Sequence, residues 1–194
     1  MAYNIKDVFY LSTSAIIASG TPNGGSAQLD LSAYIDPIAR GRKKGTGLAV
    51  YKCFWSMGQA TTGEPIDDAE AGSARFGLLA GLGAGDVATG GRTNVTAAFA
   101  MTNALLVSSG DFYGPKSMVA NASTTPTMIN GNPNSQYVSP SVEVPYVIVR
   151  DNVCLVYEVG DNFTSSAILS VRMEVAQITL DQATLNQLLR TQTV

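Results

Sequence analysis

The sequence predicts an all-β sandwich of about eight antiparallel strands, with long loops and a short C-terminal helix, as one domain over residues 1–194. Three observations predict it. Apolar residues recur at every second position along much of the chain. Clusters of Gly, Pro, Asn and Asp separate these alternating runs. No strand–helix–strand rhythm is present, so a parallel sheet is not expected.

In chain order, residues 8–18 supply the first strand. In "LDLSAYI", Leu29, Leu31, Ala33 and Ile35 share one face while Asp30, Ser32 and Tyr34 share the other, and Asp36-Pro37 ends the run. "LAVYKCFWSMG" (48–58) sets Tyr51, Cys53, Trp55 and Met57 against Lys52 and Ser56. Its bulky face is expected to fill the core, with the single Trp buried there. Residues 75–82 and 95–107 read as further strands; in the second, Val95, Ala97, Phe99 and Met101 alternate with Thr96, Ala98 and Thr102. "EVPYVIVRDNVCLVYEVG" reads as a hairpin about Asp151-Asn152, because both residues tolerate the positive φ of a tight turn. A turn at 160–162 then leads to "AILSVRMEV", where Ala167, Leu169, Val171, Met173 and Val175 point inward. The last third is therefore expected to be an antiparallel meander. Thr179-x-x-Gln182 resembles a capping box and opens a helix over about residues 180–190, with Leu185, Leu188 and Leu189 as its apolar stripe.

Two connections are long. Residues 58–73 are acidic and turn-rich. Residues 110–140 hold Pro115, Pro126, Pro133 and Pro140, with Asp111 and Lys116 as their only charges. Ordering each residue costs about 1–2 kcal/mol, so this second segment is expected to gain its order from neighbouring subunits. Phe112, Tyr113, Met118, Met128, Ile129 and Tyr137 are the candidate inter-subunit contacts.

Charged residues make up 14% of the chain against 45% apolar, well under the roughly one quarter of an average domain. A surface of Ser, Thr, Asn, Gln and Gly suits contact with other subunits, where an unpaired charge is costly to bury. It equally suits a neutral secreted β-protein. Net charge is −3, and "RGRKKG" gathers Arg40, Arg42, Lys43 and Lys44, four of the twelve cations. This cluster makes a solvated turn or a contact for a phosphate or an acidic partner; specific nucleic-acid binding would need a basic arm or stripe.

Chemistry has little to work with. His is absent, and the two Cys, Cys53 and Cys154, stand far apart in apolar runs. Zinc or haem ligation is not expected, nor is a reactive thiol, and both Cys read as small buried hydrophobes. "GLGAGDVATGG" lacks the Lys-Ser/Thr of a phosphate loop. Glu64, Asp67, Asp68 and Glu70 could hold calcium but miss the spacing of an EF-hand. A Ser nucleophile would lack its His base, so the chain is expected to be neither an enzyme nor a cofactor binder. The opening residues carry no basic-then-apolar signal, and no run reaches transmembrane length, which predicts folding in a cytosol.

Taken with the long loops, the closing run "YVIVRDNVCLVYEV…AILSVRMEV" makes the sequence resemble the single jelly-roll capsid proteins of icosahedral viruses. The absence of an Arg-rich N-terminal arm, where only Lys6 is basic, points toward those of membrane-containing archaeal and bacterial viruses. That resemblance implies two facing four-stranded sheets and a large homo-oligomer in the virion, assembled in the host cytoplasm. It also implies a possible second capsid protein and an internal membrane as partners. The alternative is a β-sandwich glycan-binding or adhesin module gripping its ligand through loop carboxylates and an exposed aromatic such as Tyr113 or Tyr137; a small hydrolase is a third, disfavoured by the missing His.

Overall fold

The alternating runs become strands wherever one face can be buried against a second sheet. The computed structural model describes residues 8–20, 24–36, 44–66, 72–81, 99–113 and 134–192. Nine strands form among them: β1 (Val8–Ile17), β2 (Gly24–Asp30), β3 (Lys44–Gln59), β4 (Ser73–Ala80), β5 (Leu106–Tyr113), β6 (Asn134–Val138), β7 (Tyr146–Ile148), β8 (Asn152–Asp161) and β9 (Ala167–Asp181). A single helix, α1 (Gln182–Thr191), follows.

One sheet has the order β1-β9-β3-β7 and the other β2-β8-β4-β5-β6, with every pairing antiparallel. The pairings nest. The first strand pairs with the last (β1 with β9), then β2 with β8, β3 with β7 and β4 with β5, while β6 extends one margin. A long antiparallel ribbon wound so that its successive pairs fall alternately in two facing sheets is the jelly roll. The fold is therefore an all-β jelly roll, with one sheet of four strands and one of five where two sheets of four were expected.

The nesting corrects the expected meander. Tyr146–Ile148 pairs with β3 in one sheet, whereas Asn152–Asp161 pairs with β2 and β4 in the other. Asp151-Asn152 thus lies in a crossing between sheets, not in a hairpin turn. Strand β9 likewise returns to the first sheet rather than pairing with β8. Alternation tells which residues face inward but is silent on which sheet a strand joins.

Local chemistry explains the other departures. Strand β2 stops at Asp30, whose carboxylate accepts a hydrogen bond from the Ser32 amide at 2.8 Å. The chain then turns helically, with the Ile35 amide donating to the Leu31 carbonyl. Leu31 and Ile35 are both buried while Ala33 is exposed, so a spacing of four satisfied both periods and the strand reading was wrong for 31–35. Residues 99–105 form turns instead of continuing a strand: the Asn103 carboxamide accepts from the Leu105 amide at 3.0 Å. The connection expected over 110–140 is shortened at both ends, since 110–113 belong to β5 and 134–138 to β6. The helix is capped by Asp181, which accepts from the Thr184 amide at 2.8 Å, not by Thr179, which still lies in β9. Only Leu185 of the apolar stripe is fully buried; Leu188 and Leu189 are half-buried.

Between the sheets lie Ile17, Leu48, Val50, Phe76, Leu78, Leu155, Leu169, Met173 and Val175, all essentially inaccessible. The five inward residues expected of β9 all belong to this core. Strand β3 needs a correction. A bulge between Val50 and Lys52 shifts the register, so Tyr51 packs on the outer face with Ala49 and Ala176, while Cys53 faces inward with Trp55 and Met57 beside it. One extra residue in a strand reverses the faces beyond it. The outer face of the five-stranded sheet is also apolar: Leu79, Leu106, Cys154 and Val156 are covered by Phe99 and Leu105 from the 99–105 turns.

Cys53 and Cys154 are both free and buried, one between the sheets and one in this outer layer. Burial lifts the Cys53 thiol from 9.0 to about 12, with the Ser108 hydroxyl opposing the shift. Between those two values the unfolded chain has lost the proton that the folded chain keeps, so the folded state binds more protons. The stability this group contributes is complete below 9.0 and is lost as pH rises toward about 12. Tyr146, pushed to about 12, and Tyr157 are raised by burial and act in the same sense. We expect alkaline unfolding to be blunted in Cys53→Ala, and thiol reagents to label neither Cys until the protein unfolds. Fast labelling of the native protein at neutral pH would contradict the buried placement.

Candidate functional site

Three surfaces gather the side chains that the core does not use. The first is one end of the sandwich. There the Tyr146 hydroxyl donates to the Ala104 carbonyl at 2.7 Å, tying the 99–105 turns to the start of β7. These two segments expose Met101 (68%), Val142 (54%) and Val144 (75%). The 141–144 turn is held by its own residues: the Ser141 amide donates to the Val144 carbonyl at 3.2 Å, and the Val144 amide donates to the Ser141 hydroxyl at 3.1 Å. The apolar side chains are thus presented by a built turn.

The second surface is on the outside of the five-stranded sheet. Arg75 and Asp111 are directly opposed across β4 and β5. The guanidinium donates from Nε to Oδ1 at 2.8 Å and from its second nitrogen to Oδ2 at 3.1 Å. Asp111 is buried, while Arg75 is half-exposed along its side chain. Such a two-pronged pair is the geometry in which Arg recognises a carboxylate. The Tyr113 hydroxyl donates to the same carboxylate at 3.4 Å.

The third is a depression of about 670 Å³ on the outer face of the four-stranded sheet, lined among others by Tyr10, Phe54 and Arg172. It lies opposite the core face on which Trp55 is held. That indole donates to the Ser108 hydroxyl at 3.0 Å, Ser108 donates on to the Val138 carbonyl at 2.9 Å, and the ring stands 4.5 Å from Phe76. Trp55 is half-buried and packed against the core, so the core reading of this residue holds.

The sequence-derived contacts are distributed unevenly over these surfaces. Phe112 faces the sandwich interior, 8% exposed, with its ring stacked 6.1 Å from that of Phe163; it packs the subunit's own core. Tyr113 is 43% exposed. Tyr137 is placed in β6 by its backbone, whereas Met118, Met128 and Ile129 lie outside the described residues. Of the basic cluster, Lys44 opens β3 and is exposed, opposite Asp181 of β9; Arg40, Arg42 and Lys43 lie outside the described residues, as do Asp67, Asp68 and Glu70. Among the described residues no three His, Cys, Asp or Glu side chains come together as a metal site. The exposed Met101, Val142 and Val144 were not singled out in the sequence. The signal was there in "SPSVEVPY", where apolar residues sit between prolines in a stretch too broken to be a core strand.

No family model and no curated protein matches the sequence. Among solved structures, the chain is similar to Merkel cell polyomavirus VP1 in complex with disialyllactose, over 93% of this chain and 98% of that one, at 7% identity and a TM-score of 0.41. The strand order alone, rather than this distant likeness, defines the fold.

Proposed function

We propose that the chain is a coat subunit of a virus, one that assembles with copies of itself into a closed icosahedral shell in the host cytoplasm. The observation that carries the reading is the exposure of Met101, Val142 and Val144 on two segments joined by the Tyr146–Ala104 hydrogen bond. A monomer gains nothing by holding two valines and a methionine in solvent on an ordered turn, whereas burying one such side chain at an interface is worth about 1.5–3 kcal/mol. The low charge of the surface supports it, because a shell subunit has neighbours on several sides. Residues 110–140, with Met118, Met128, Ile129 and Tyr137, supply further contacts in this reading, and Arg40, Arg42, Lys43 and Lys44 meet an acidic neighbour or a phosphate. The membrane-containing archaeal and bacterial viruses, whose coats combine two jelly-roll proteins, are the setting this reading favours.

Particle size is the test. Sedimentation and electron microscopy of the purified full chain should show rings or shells at high concentration. The double variant Val142→Glu and Val144→Glu should leave the thermal midpoint of the monomer unchanged and abolish the large species. A wild-type chain that stays monomeric at every concentration, or a double variant that assembles normally, would overturn the proposal.

A further inference from the structure

On the outer face of the four-stranded sheet, register sets the side chains of β1, β9 and β3 in rows. Tyr10, Glu174 and Lys52 form one row. Ser12, Arg172 and Phe54 form the next, and Ser14, Ser170 and Ser56 the one after. The depression of about 670 Å³ lies over the last two rows, with Tyr10 at its rim. Three neighbouring strands span about 10 Å, so the floor is wide enough for a chain of two sugar rings.

The chemistry of this floor is unlike that of the apolar tip. The side-chain hydroxyls of Ser12, Ser14, Ser56 and Ser170 make no hydrogen bond to a described group, and Arg172 makes no ion pair among the described residues. The guanidinium is held in place by the Tyr10 ring, 6.0 Å from its centroid. Phe54 is fixed in the same way from the other side, with the Lys52 ammonium 5.2 Å from its ring. Two rings remain about half exposed, Tyr10 at 59% and Phe54 at 42%. The face therefore offers a planar cation, a row of hydroxyls and two aromatic platforms converging on one shallow site.

We propose that this depression binds an acidic saccharide through its carboxylate. The carboxylate pairs with the Arg172 fork, the sugar hydroxyls exchange hydrogen bonds with the serine row, and the apolar C–H faces of the rings lie on Tyr10 and Phe54. A protein partner fits less well. The centre of a protein interface is apolar and its rim polar, whereas here the central strand offers Arg172 and Ser170 and the aromatic rings stand on the strands to either side. The site belongs to the sheet face and operates whether or not the chain assembles.

Ligand-observed and protein-observed NMR titration of the full chain, with tetragalacturonate as the acidic probe and maltotetraose as the neutral one, tests this. Tetragalacturonate should bind, with transfer from the Tyr10 and Phe54 ring protons, and maltotetraose should bind far more weakly. Arg172→Gln should weaken the acidic probe roughly tenfold, the equivalent of one charge-assisted pair, and Arg172→Lys should restore only part of it because an ammonium lacks the fork. An unchanged thermal midpoint establishes that each variant is folded. Absence of binding to wild type, or equal affinity in Arg172→Gln, would overturn the proposal. So would self-association of wild type through this face, seen as concentration-dependent shifts of the same ring protons that vanish in Arg172→Gln; the depression would then be a contact between copies.

Discussion

Phe76→Ala should destabilise the protein by about 3–5 kcal/mol, the range for emptying a large aromatic from a core. The ring is 2% exposed on the inward face of β4, opposite Gly110 of β5 on one side and Tyr157 of β8 on the other; Gly110 has no side chain to move in, and the Tyr157 hydroxyl is tied to the Ile16 carbonyl at 3.0 Å. Trp55, its neighbour at 4.5 Å, is tied by its indole nitrogen to Ser108 and cannot swing in without giving up that bond. The cavity therefore persists, and an aromatic contact worth about 0.5–1.5 kcal/mol is lost with it. Denaturant titration measures the loss, and the emission of the single Trp should shift to the red as its environment opens. A cost under about 1 kcal/mol with unchanged emission would show that the two rings do not share a packed interior.

Arg75→Ala should cost about 2–3 kcal/mol. Removing one partner of a buried ion pair costs about 3–5 kcal/mol when both groups are sequestered. Here only Asp111 is, at 4% side-chain exposure against 54% for Arg75, and the Tyr113 hydroxyl remains as a weak donor at 3.4 Å. A cost at or just below the foot of that range is accordingly expected. The decisive comparison is the double variant Arg75→Met with Asp111→Leu, which removes the stranded carboxylate along with its partner and should recover most of the loss. If the single variant matches wild type, the pair is a solvated surface contact and Asp111 is not held in a dry site.

Much of the fold was legible in the sequence because burial on one face of a strand writes itself as a period of two. Strands β1 and β9 show this without ambiguity, as do Cys53, Trp55 and Met57 in β3. Three kinds of feature were not legible. A bulge at Tyr51 reverses a face without altering the local pattern of residues. A spacing of four, as between Leu31 and Ile35, fits a helical turn as well as a strand, and only the Asp30 carboxylate decides between them. The choice of sheet for β7, β8 and β9 depends on which distant strand each one meets, and period carries no such information. The depression on the outer face was out of reach of the sequence for the same reason. The row of Ser14, Ser170 and Ser56 joins residues more than a hundred positions apart, so it exists only once register is known. Phe112 looked available because its neighbours resemble a loop, yet it lies within β5 and packs toward Phe163.

The contact made by Gln192 bears on how such a subunit can grow into anything larger. Residues 146–148 form a three-residue strand at the margin of the four-stranded sheet, and their pairing with β3 leaves groups of Val147 and Val149 directed outward. The carboxamide of Gln192, 5% exposed at the end of α1, donates to the Val147 carbonyl at 2.6 Å and accepts from the Val149 amide at 3.3 Å. A single side chain thus imitates the next strand and leaves no template for one. Runaway fibre-like stacking through this margin is blocked at its first step. The margin at β7 is closed by the molecule's own C-cap residue, and any contact with another chain has to lie elsewhere.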